Sequence, residues 1–309
     1  MYLVSRGRAR LLKPMSRKGR IPKVVGMLAI ACSPLLLAAC SSAAGSPSGS
    51  GSGSGLISTI ESSHVMTFGA ASYEPDNYQL PNGQWTGTVI AMANLLAKSF
   101  GAKAQFVNTS WANMVAGLQA GKYEFAIDLT ETPAREQAID FTVPVYTDLD
   151  ALMVDPARTG IRSWAEATGK GKTICVDQGA SPALTITKLH LAATITPLSS
   201  EDDCNLALIA GRTDSHDSGV YANAGFAEAH PGYKLIFPPS PIDTGPVAYG
   251  LPKDTPKSAL QTINSHLQKL INEGEWVSIS KRYKVVVPTS VAIQPVPEYV
   301  YKAENYGKK

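Results

Sequence analysis

Arg135 is the residue whose type and position most directly indicate a chemical role. It is the only arginine between positions 21 and 157, a region whose other cationic chains are lysines. It ends the run Thr-Glu-Thr-Pro-Ala-Arg at 130–135, in which Pro133 can start a helical turn. A planar guanidinium binds a carboxylate through two parallel hydrogen bonds, which a lysine cannot reproduce. Arg135 is therefore a candidate carboxylate-binding residue, and a surface arginine at a helix start is the alternative.

The chain carries none of the short motifs that would place a nucleophile or a catalytic metal. Neither G-x-S-x-G nor H-E-x-x-H occurs, and no His/Cys cluster has the spacing of metal ligands. The histidines are scattered, at His64, His190, His216, His230 and His266. We therefore expect no catalytic residue, no metal and no cofactor.

The first 39 residues predict an export signal that ends at a lipid attachment site. They contain eight basic and no acidic residues, and their apolar stretch is shorter than a membrane span of about 20 residues. Leu-Ala-Ala-Cys at 37–40 resembles the bacterial lipobox, in which the cysteine is lipidated and becomes the mature N-terminus. We expect Cys40 to anchor the protein to the membrane on the extracytoplasmic side of the cell envelope. A plain secretory signal with an incidental cysteine is the alternative, and Met15 is an alternative start.

A flexible tether is predicted at 40–55, where nearly every residue is Ser, Gly, Ala or Pro. Such a coil spans about 20 Å and lets a folded body move near a membrane without entering it. Removal of the signal takes eight of the 28 basic residues and leaves 20 against 25 acidic ones, a net charge of −5. The mildly basic full chain therefore gives no reason to expect nucleic-acid binding.

Two cysteines remain for the folded part, Cys175 in a predicted strand and Cys204 near the start of a predicted helix. An exported protein meets an oxidising compartment, so a disulfide between them is expected. Closing this loop would contribute roughly 3–4 kcal/mol on the chain-entropy model. Two buried free thiols are the alternative.

Strand-like and helix-like runs alternate from about residue 64 to residue 274. HVMTFGAA, AKAQFVNTS and YEFAIDLT are typical of strands, while TVIAMANLLAKSFG and WANMVAGLQAG are typical of helices that end at glycine. The same scheme recurs after residue 172. Alternation of this kind predicts layered α/β structure with parallel strands.

With these elements in place, one stretch resembles a known family. Thr130, Thr132, Arg135, Asp140 and Phe141, followed by Pro144 and Tyr146, match the order T-x-T-x-x-R, D-F and Pro-Tyr of the type II solute-binding proteins of polar amino acid ABC transporters. The later segments QGAS, LIAGRTD and SHLQKLINEGEW are similar to the family's anion turn, second-lobe motif and C-terminal helix. The resemblance covers roughly residues 64–284.

The resemblance implies a two-lobe α/β fold, the type II periplasmic-binding-protein fold, with two hinge strands. Lobe 1 is then expected at 56–148 plus 246–285 and lobe 2 at 154–242. Residues 286–309 extend past the usual end, and their proline content suggests an irregular strap over a lobe surface.

The resemblance also implies a set of ligand-binding residues in lobe 1. Arg135 would hold a carboxylate, Thr130 would bond the ligand head group and Tyr73 would stack on the ligand. Asp128 and Asp76 stand where relatives carry other residues, so the pocket would be more acidic and would suit a cationic or polar amino acid. A solvated strand-end acid at Asp128 and simple packing at Tyr73 are the alternatives.

In lobe 2, the resemblance implies an anion seat at the backbone N–H groups of Gly179 to Ser181, where Ser181 and Pro182 predict a helix N-cap and first turn. The family's aspartate for the ligand α-ammonium falls at Gly219, which has no side chain, while Asp217 lies two residues earlier. Either Asp217 or Asp128 then takes that role, or the ligand is not an ordinary α-amino acid.

The function that follows is capture of a small polar ligand between two lobes and its delivery to the permease and ATPase of an ABC importer, by a monomer. A ligand sensor for a membrane receptor and an exported dehydratase-like enzyme of the same fold are the alternatives. An acid pair such as Asp128 and Asp217 could serve acid–base chemistry, although ammonium binding explains it more simply.

Overall fold

A computed structural model describes residues 54–242 and 245–300 of the chain. The strands are β1 (Val65–Ala70), β2 (Tyr78–Gln79), β3 (Trp85–Thr86), β4 (Lys103–Asn108), β5 (Phe125–Thr130), β6 (Ile139–Phe141), β7 (Tyr146–Thr147), β8 (Asp150–Val154), β9 (Thr173–Asp177), β10 (Thr194–Leu198), β11 (Ser215–Gly219), β12 (Lys234–Ile236) and β13 (Pro246–Pro252). The helices are α1 (Ser54–Ser63), α2 (Thr88–Ser99), α3 (Trp111–Gln119), α4 (Pro133–Ala138), α5 (Pro156–Thr159), α6 (Trp164–Ala167), α7 (Ser181–Lys188), α8 (Glu201–Ile209), α9 (Val220–Ala229), α10 (Lys257–Asn272) and α11 (Glu275–Arg282), with a 3₁₀ turn at Thr289–Val291. The predicted signal and Cys40, and most of the tether, lie outside the described residues.

The first sheet forms the centre of lobe 1. Its strand order is β4-β1-β5-β13-β6, with β7 also paired to β13. β4 and β5 run parallel to β1, whereas β13 runs antiparallel to β5 and β6. All six residues of β5 are buried, as expected for a central strand covered on both faces. In the core on one face, which helices α2, α10 and α11 cover, Phe68 stacks on Phe125 and meets Tyr249 edge-on.

The second sheet forms the centre of lobe 2 and has the order β10-β9-β11-β8-β12. β9, β10 and β11 are parallel, and β8 and β12 close one side with antiparallel pairs. Side chains alternate across β8: Leu152 and Val154 belong to one core cluster, whereas Ala151 and Met153 belong to another. Both faces are therefore buried. The chain enters this sheet after β7 and returns to the first through β13, so lobe 2 is inserted into lobe 1.

The disulfide expected from the sequence is present. Cys175 on β9 is bonded to Cys204 on α8, with a sequence separation of 29. Ser200 caps α8 by accepting a hydrogen bond from the Asp203 N–H. The bond joins a central strand to the helix that covers it.

Residues 286–300, which we call the C-terminal strap, leave lobe 1 after α11 and run along lobe 2. Val287, Val291, Val296 and Val300 are buried in the core cluster that contains Met153 and Leu235. Backbone contacts add to this packing, because the Ile293 N–H donates to the Leu235 carbonyl at 3.1 Å. None of the described helices combines the length and apolarity needed to cross a membrane.

Candidate functional site

The cleft between the lobes is a cavity of about 330 Å³, measured with its opening to solvent. Its lining comes from strand ends, helix starts and the links between lobes: Tyr73, Trp111, Asp128, Thr130, Arg135, Tyr146, Asp148, Ala180, Ser181, Pro182 and Val247.

Arg135 lies at the contact between the lobes. The Thr132 side chain caps α4 by accepting from the Arg135 N–H, and Pro133 occupies its first turn, so the arginine is held at the helix start. Its guanidinium donates to the Thr130 carbonyl in lobe 1 at 2.8 Å and to the Gly179 carbonyl in lobe 2 at 3.0 Å. The side chain is buried. A guanidinium in this position contacts both lobes at once.

The turn before α7 differs in one respect from the sequence prediction. Helix α7 begins at Ser181, and the N-cap is Ala180, whose side chain makes no capping bond. The Ser181 hydroxyl instead meets the Thr130 hydroxyl at 2.8 Å across the cleft. The prediction of Ser181 as the N-cap was therefore wrong, because the contact with the opposite lobe replaces the capping bond.

Only glycine fits at position 179, for two reasons. Its φ is +88°, and an added Cβ would lie 2.6 Å from the Ala112 backbone at the start of α3. Both the left-handed conformation and the lack of space exclude a larger residue. The absence of a side chain lets this turn of lobe 2 approach lobe 1 closely.

Two aromatic side chains form one wall of the cleft. Tyr73 packs edge-on against Trp111, with ring centroids 6.0 Å apart. The Tyr73 hydroxyl donates to Asp148 Oδ2 at 3.1 Å. Trp111 was not predicted from the sequence, since the start of an amphipathic helix is equally typical of core packing. Its Nε1 is buried without a hydrogen-bond partner among the described residues.

Asp128, which lines the cleft, and Asp76, which lines the neighbouring pocket, form a buried pair of carboxyl groups. Asp128 lies on β5 with a φ of 62°, an unusual conformation for an aspartate inside a strand, and Tyr146 donates to its Oδ1 at 2.5 Å. Asp76 accepts from the Thr88 hydroxyl and faces the neighbouring pocket, which Tyr146 also lines.

The pKa of each of these acids is raised. Burial raises the pKa of Asp76 to about 8, and repulsion by Asp128 adds to the shift. Burial also raises the pKa of Asp128 to about 7, although the Tyr146 hydrogen bond and the Arg135 charge oppose it. Burial and mutual repulsion disfavour the ionised form of two neighbouring carboxyl groups. The pair therefore binds protons near neutral pH.

Asp217 is not among the residues that line the cleft. It is buried in β11, two residues before the strand ends at Gly219, where it pairs with Leu152 and Val176. Two residues of strand are roughly 6–7 Å. Ligands of open α/β sheets bind beyond the carboxyl ends of the strands. Asp217 therefore lies too deep in the sheet to contact a ligand in the cleft.

Asp148, in the link between β7 and β8, contributes a carboxylate to the cleft that sequence reasoning missed. It belongs to no motif, and only the meeting of the two sheets brings it to the site. Across the described residues, no group of three or more His, Cys, Asp and Glu side chains is arranged to hold a metal ion.

The two α/β lobes and the cleft between them define the type II periplasmic-binding-protein fold. Residues 66–285 match the bacterial extracellular solute-binding proteins, family 3, and the chain belongs to this family.

The chain is similar to the octopine-binding periplasmic protein of Rhizobium meliloti, with 26% identity over 221 residues, 63% of this chain and 74% of that protein. It is also similar to a cyclohexadienyl dehydratase of Pseudomonas aeruginosa, with 24% identity over 199 residues, 63% of this chain and 74% of that protein. Among solved structures, an amino acid ABC transporter substrate-binding protein from Streptococcus pneumoniae bound to L-arginine shares the fold. Its TM-score is 0.66 at 22% identity, over 75% of this chain and 99% of that one.

Proposed function

We propose that this protein captures an amino acid or a related small polar ligand between its lobes and delivers it to the permease and ATPase of an ABC importer. The observation that carries the proposal is the charge pattern of the cleft, where the Arg135 guanidinium and the carboxyl groups of Asp128 and Asp148 line one cavity. A zwitterion has the complementary pattern, a carboxylate for the arginine and an ammonium for the acids. Membership of the solute-binding family supports the same function.

Cationic amino acids are the first candidates for the ligand. The cleft and the pocket beside it contain more acidic than basic side chains, since Asp76, Asp128 and Asp148 accompany one arginine. The similar proteins named above include one that binds octopine and one bound to L-arginine. An extra cationic group on the ligand would favour the ionised form of Asp76 and Asp128 and would pair with it.

A thermal-shift screen tests the proposed function directly. The panel contains the standard L-amino acids, octopine, polyamines and small dicarboxylates. A ligand at 100 times its Kd should stabilise the protein by about 2.7 kcal/mol, or a rise in Tm of about 5–10 °C. Stabilisation by polyamines or dicarboxylates alone, or by nothing in the panel, would contradict an amino acid ligand.

An enzymatic function is the second candidate, because of the similarity to the cyclohexadienyl dehydratase. A buried acid with a raised pKa, such as Asp128, is also a suitable proton donor. We propose binding without turnover. Mass spectrometry after long incubation should recover each stabilising compound unchanged, together with a cyclohexadienyl substrate tested in parallel, and a new product would overturn this proposal.

We also propose that the protein is anchored by lipid at Cys40 and works as a monomer outside the cytoplasm. The lipobox-like Leu-Ala-Ala-Cys and the Ser/Gly-rich tether support the anchor. The family's extracellular character supports the compartment, and so does the Cys175–Cys204 disulfide.

A further inference from the structure

The end of β11 faces the Asp148 carboxylate and the Tyr73 hydroxyl. A Cβ added to Gly219 would lie 1.8 Å from the Tyr73 hydroxyl oxygen and 2.2 Å from Asp148 Oδ2. Gly219 has a φ of −56°, so its backbone would accept other residues and the limit is space alone. Any side chain at 219 would occupy the volume that the Asp148 carboxylate fills.

The Asp148 carboxylate is held in a fixed orientation. Its Oδ2 accepts from the Tyr73 hydroxyl at 3.1 Å, and its Oδ1 accepts from the Leu149 N–H at 2.8 Å. A carboxylate offers about four acceptor positions, so it can keep both bonds while it accepts hydrogen bonds from an ammonium group. Donors that fix a carboxylate before the ligand arrives reduce the ordering cost of binding.

The resemblance places an aspartate at position 219, where this chain has glycine. A side chain at 219 and the Asp148 carboxylate would therefore occupy the same place in the cleft. An acid on β11 would reach this place from lobe 2, whereas Asp148 reaches it from the link between the lobes. We propose that Asp148, oriented by Tyr73 and admitted by the missing side chain of Gly219, binds the α-ammonium group of the ligand. This inference rests on the proposed function, because it requires an α-amino acid in the cleft.

The test compares ligands with and without the α-ammonium group on the wild-type protein and three variants. L-Arginine is paired with 5-guanidinopentanoic acid, which lacks only that group. Any other standard L-amino acid that stabilises the wild-type protein is paired in the same way with its des-amino acid. Calorimetry then measures Kd for the wild-type protein, Asp148→Asn, Tyr73→Phe and Glu74→Gln. Glu74→Gln is the matched control, since it removes an exposed charge next to Tyr73 in the chain.

Asp148→Asn should weaken binding of the amino acid by about 30-fold or more, because the ammonium loses its charged partner. Binding of the des-amino acid should change less than about threefold. Tyr73→Phe, which removes only the orienting hydroxyl, should weaken the amino acid less than Asp148→Asn does and also spare the des-amino acid. Glu74→Gln should leave both Kd values unchanged.

The outcomes separate the two proposals. If the wild-type protein binds none of the amino acids, the proposed amino acid ligand is wrong and the inference fails with it. If it binds one and Asp148→Asn binds that amino acid equally well, the inference alone is wrong. Equal losses for the amino acid and its des-amino acid would also overturn it, because Asp148 would then act on closure of the lobes. If Asp148→Asn does not fold, Tyr73→Phe decides by the same comparison.

Discussion

Arg135 donates to one carbonyl group in each lobe, and in the proposed function the same guanidinium also binds the ligand carboxylate. Arg135→Lys keeps the charge but loses the planar fork. A carboxylate left partly unpaired in a closed cleft costs about 2–5 kcal/mol, and we expect Kd for L-arginine, or for the amino acid found in the screen, to rise by about 30-fold or more. Calorimetry measures this change.

Arg158→Lys is the matched control for this prediction. Arg158 also donates to two backbone carbonyls, those of Thr213 and Leu208, but within lobe 2. Its replacement should cost some stability and leave Kd unchanged. Equal affinity of Arg135→Lys and the wild-type protein would make Arg135 a structural residue.

The buried carboxyl pair predicts a pH dependence of stability. The pKa values of Asp76 and Asp128 rise from 3.8 to about 8 and about 7, so between pH 4 and 8 the folded protein binds more protons than the unfolded chain. Stability of the ligand-free protein therefore falls as the pH rises through this range. From pH 5 to pH 8, the wild-type Tm should fall by at least about 3 °C more than that of the double variant Asp76→Asn/Asp128→Asn.

This comparison leaves Asp177 intact in both proteins. Burial raises the pKa of Asp177 to about 8, so it contributes a fall of the same sign that cancels in the difference. Parallel Tm curves for the wild-type protein and the double variant would show that the pair is ionised in the folded state.

At the scale of residues, the sequence could predict the parts of the cleft that lie in one local motif. Thr130 and Arg135 are five residues apart around one helix start, and the structure brings both to the cleft with Asp128. Trp111 and Asp148 come from elements whose local pattern is equally typical of core or linker, and the motif that contains Tyr146 gave this residue no role. Their place depends on how the lobes meet, which no short-range pattern encodes.

At the scale of elements, the alternation of strands and helices was predictable because hydrophobic periodicity is local. The strand orders β4-β1-β5-β13-β6 and β10-β9-β11-β8-β12 were not predicted, since pairing joins residues far apart in the chain, and the resemblance implied only the two lobes and their hinge strands. The start of α7 was misplaced by one residue because Ser181 contacts Thr130 rather than its own helix.

The C-terminal strap gives a prediction at this scale. Val291 is 4% exposed in the lobe 2 core, whereas Val286 is 50% exposed on the same segment. Val291→Asp should lower the free energy of unfolding by about 2–4 kcal/mol, because it buries a charge, and Val286→Asp should change it by less than about 0.5 kcal/mol. Denaturant unfolding measures both, and similar effects of the two changes would mean that the strap does not stabilise lobe 2.

At the scale of the whole molecule, the proposed anchor determines where the ligand is captured. Cys40→Ser removes the thiol that the lipid would modify, so the protein should move from the membrane fraction to the soluble extracytoplasmic fraction. Immunoblotting of the two fractions measures this. Cys32→Ser, within the predicted signal, is the control and should leave the distribution unchanged. Full retention of Cys40→Ser in the membrane fraction would contradict the lipobox.

The path of the C-terminal strap also limits how the cleft between the lobes can open. Between Ser54 and Val300 the chain crosses from lobe to lobe three times: after β7, before β13 and after α11. At the last crossing, the Tyr283 hydroxyl is hydrogen-bonded to the Thr86 hydroxyl in lobe 1, and Val287 is buried in lobe 2. Four residue steps span at most about 14 Å. While Tyr283 stays packed on lobe 1 and Val287 on lobe 2, the segment between them keeps this side of the two lobes close together. The cleft must then open by rotation of the lobes about this segment rather than by their separation.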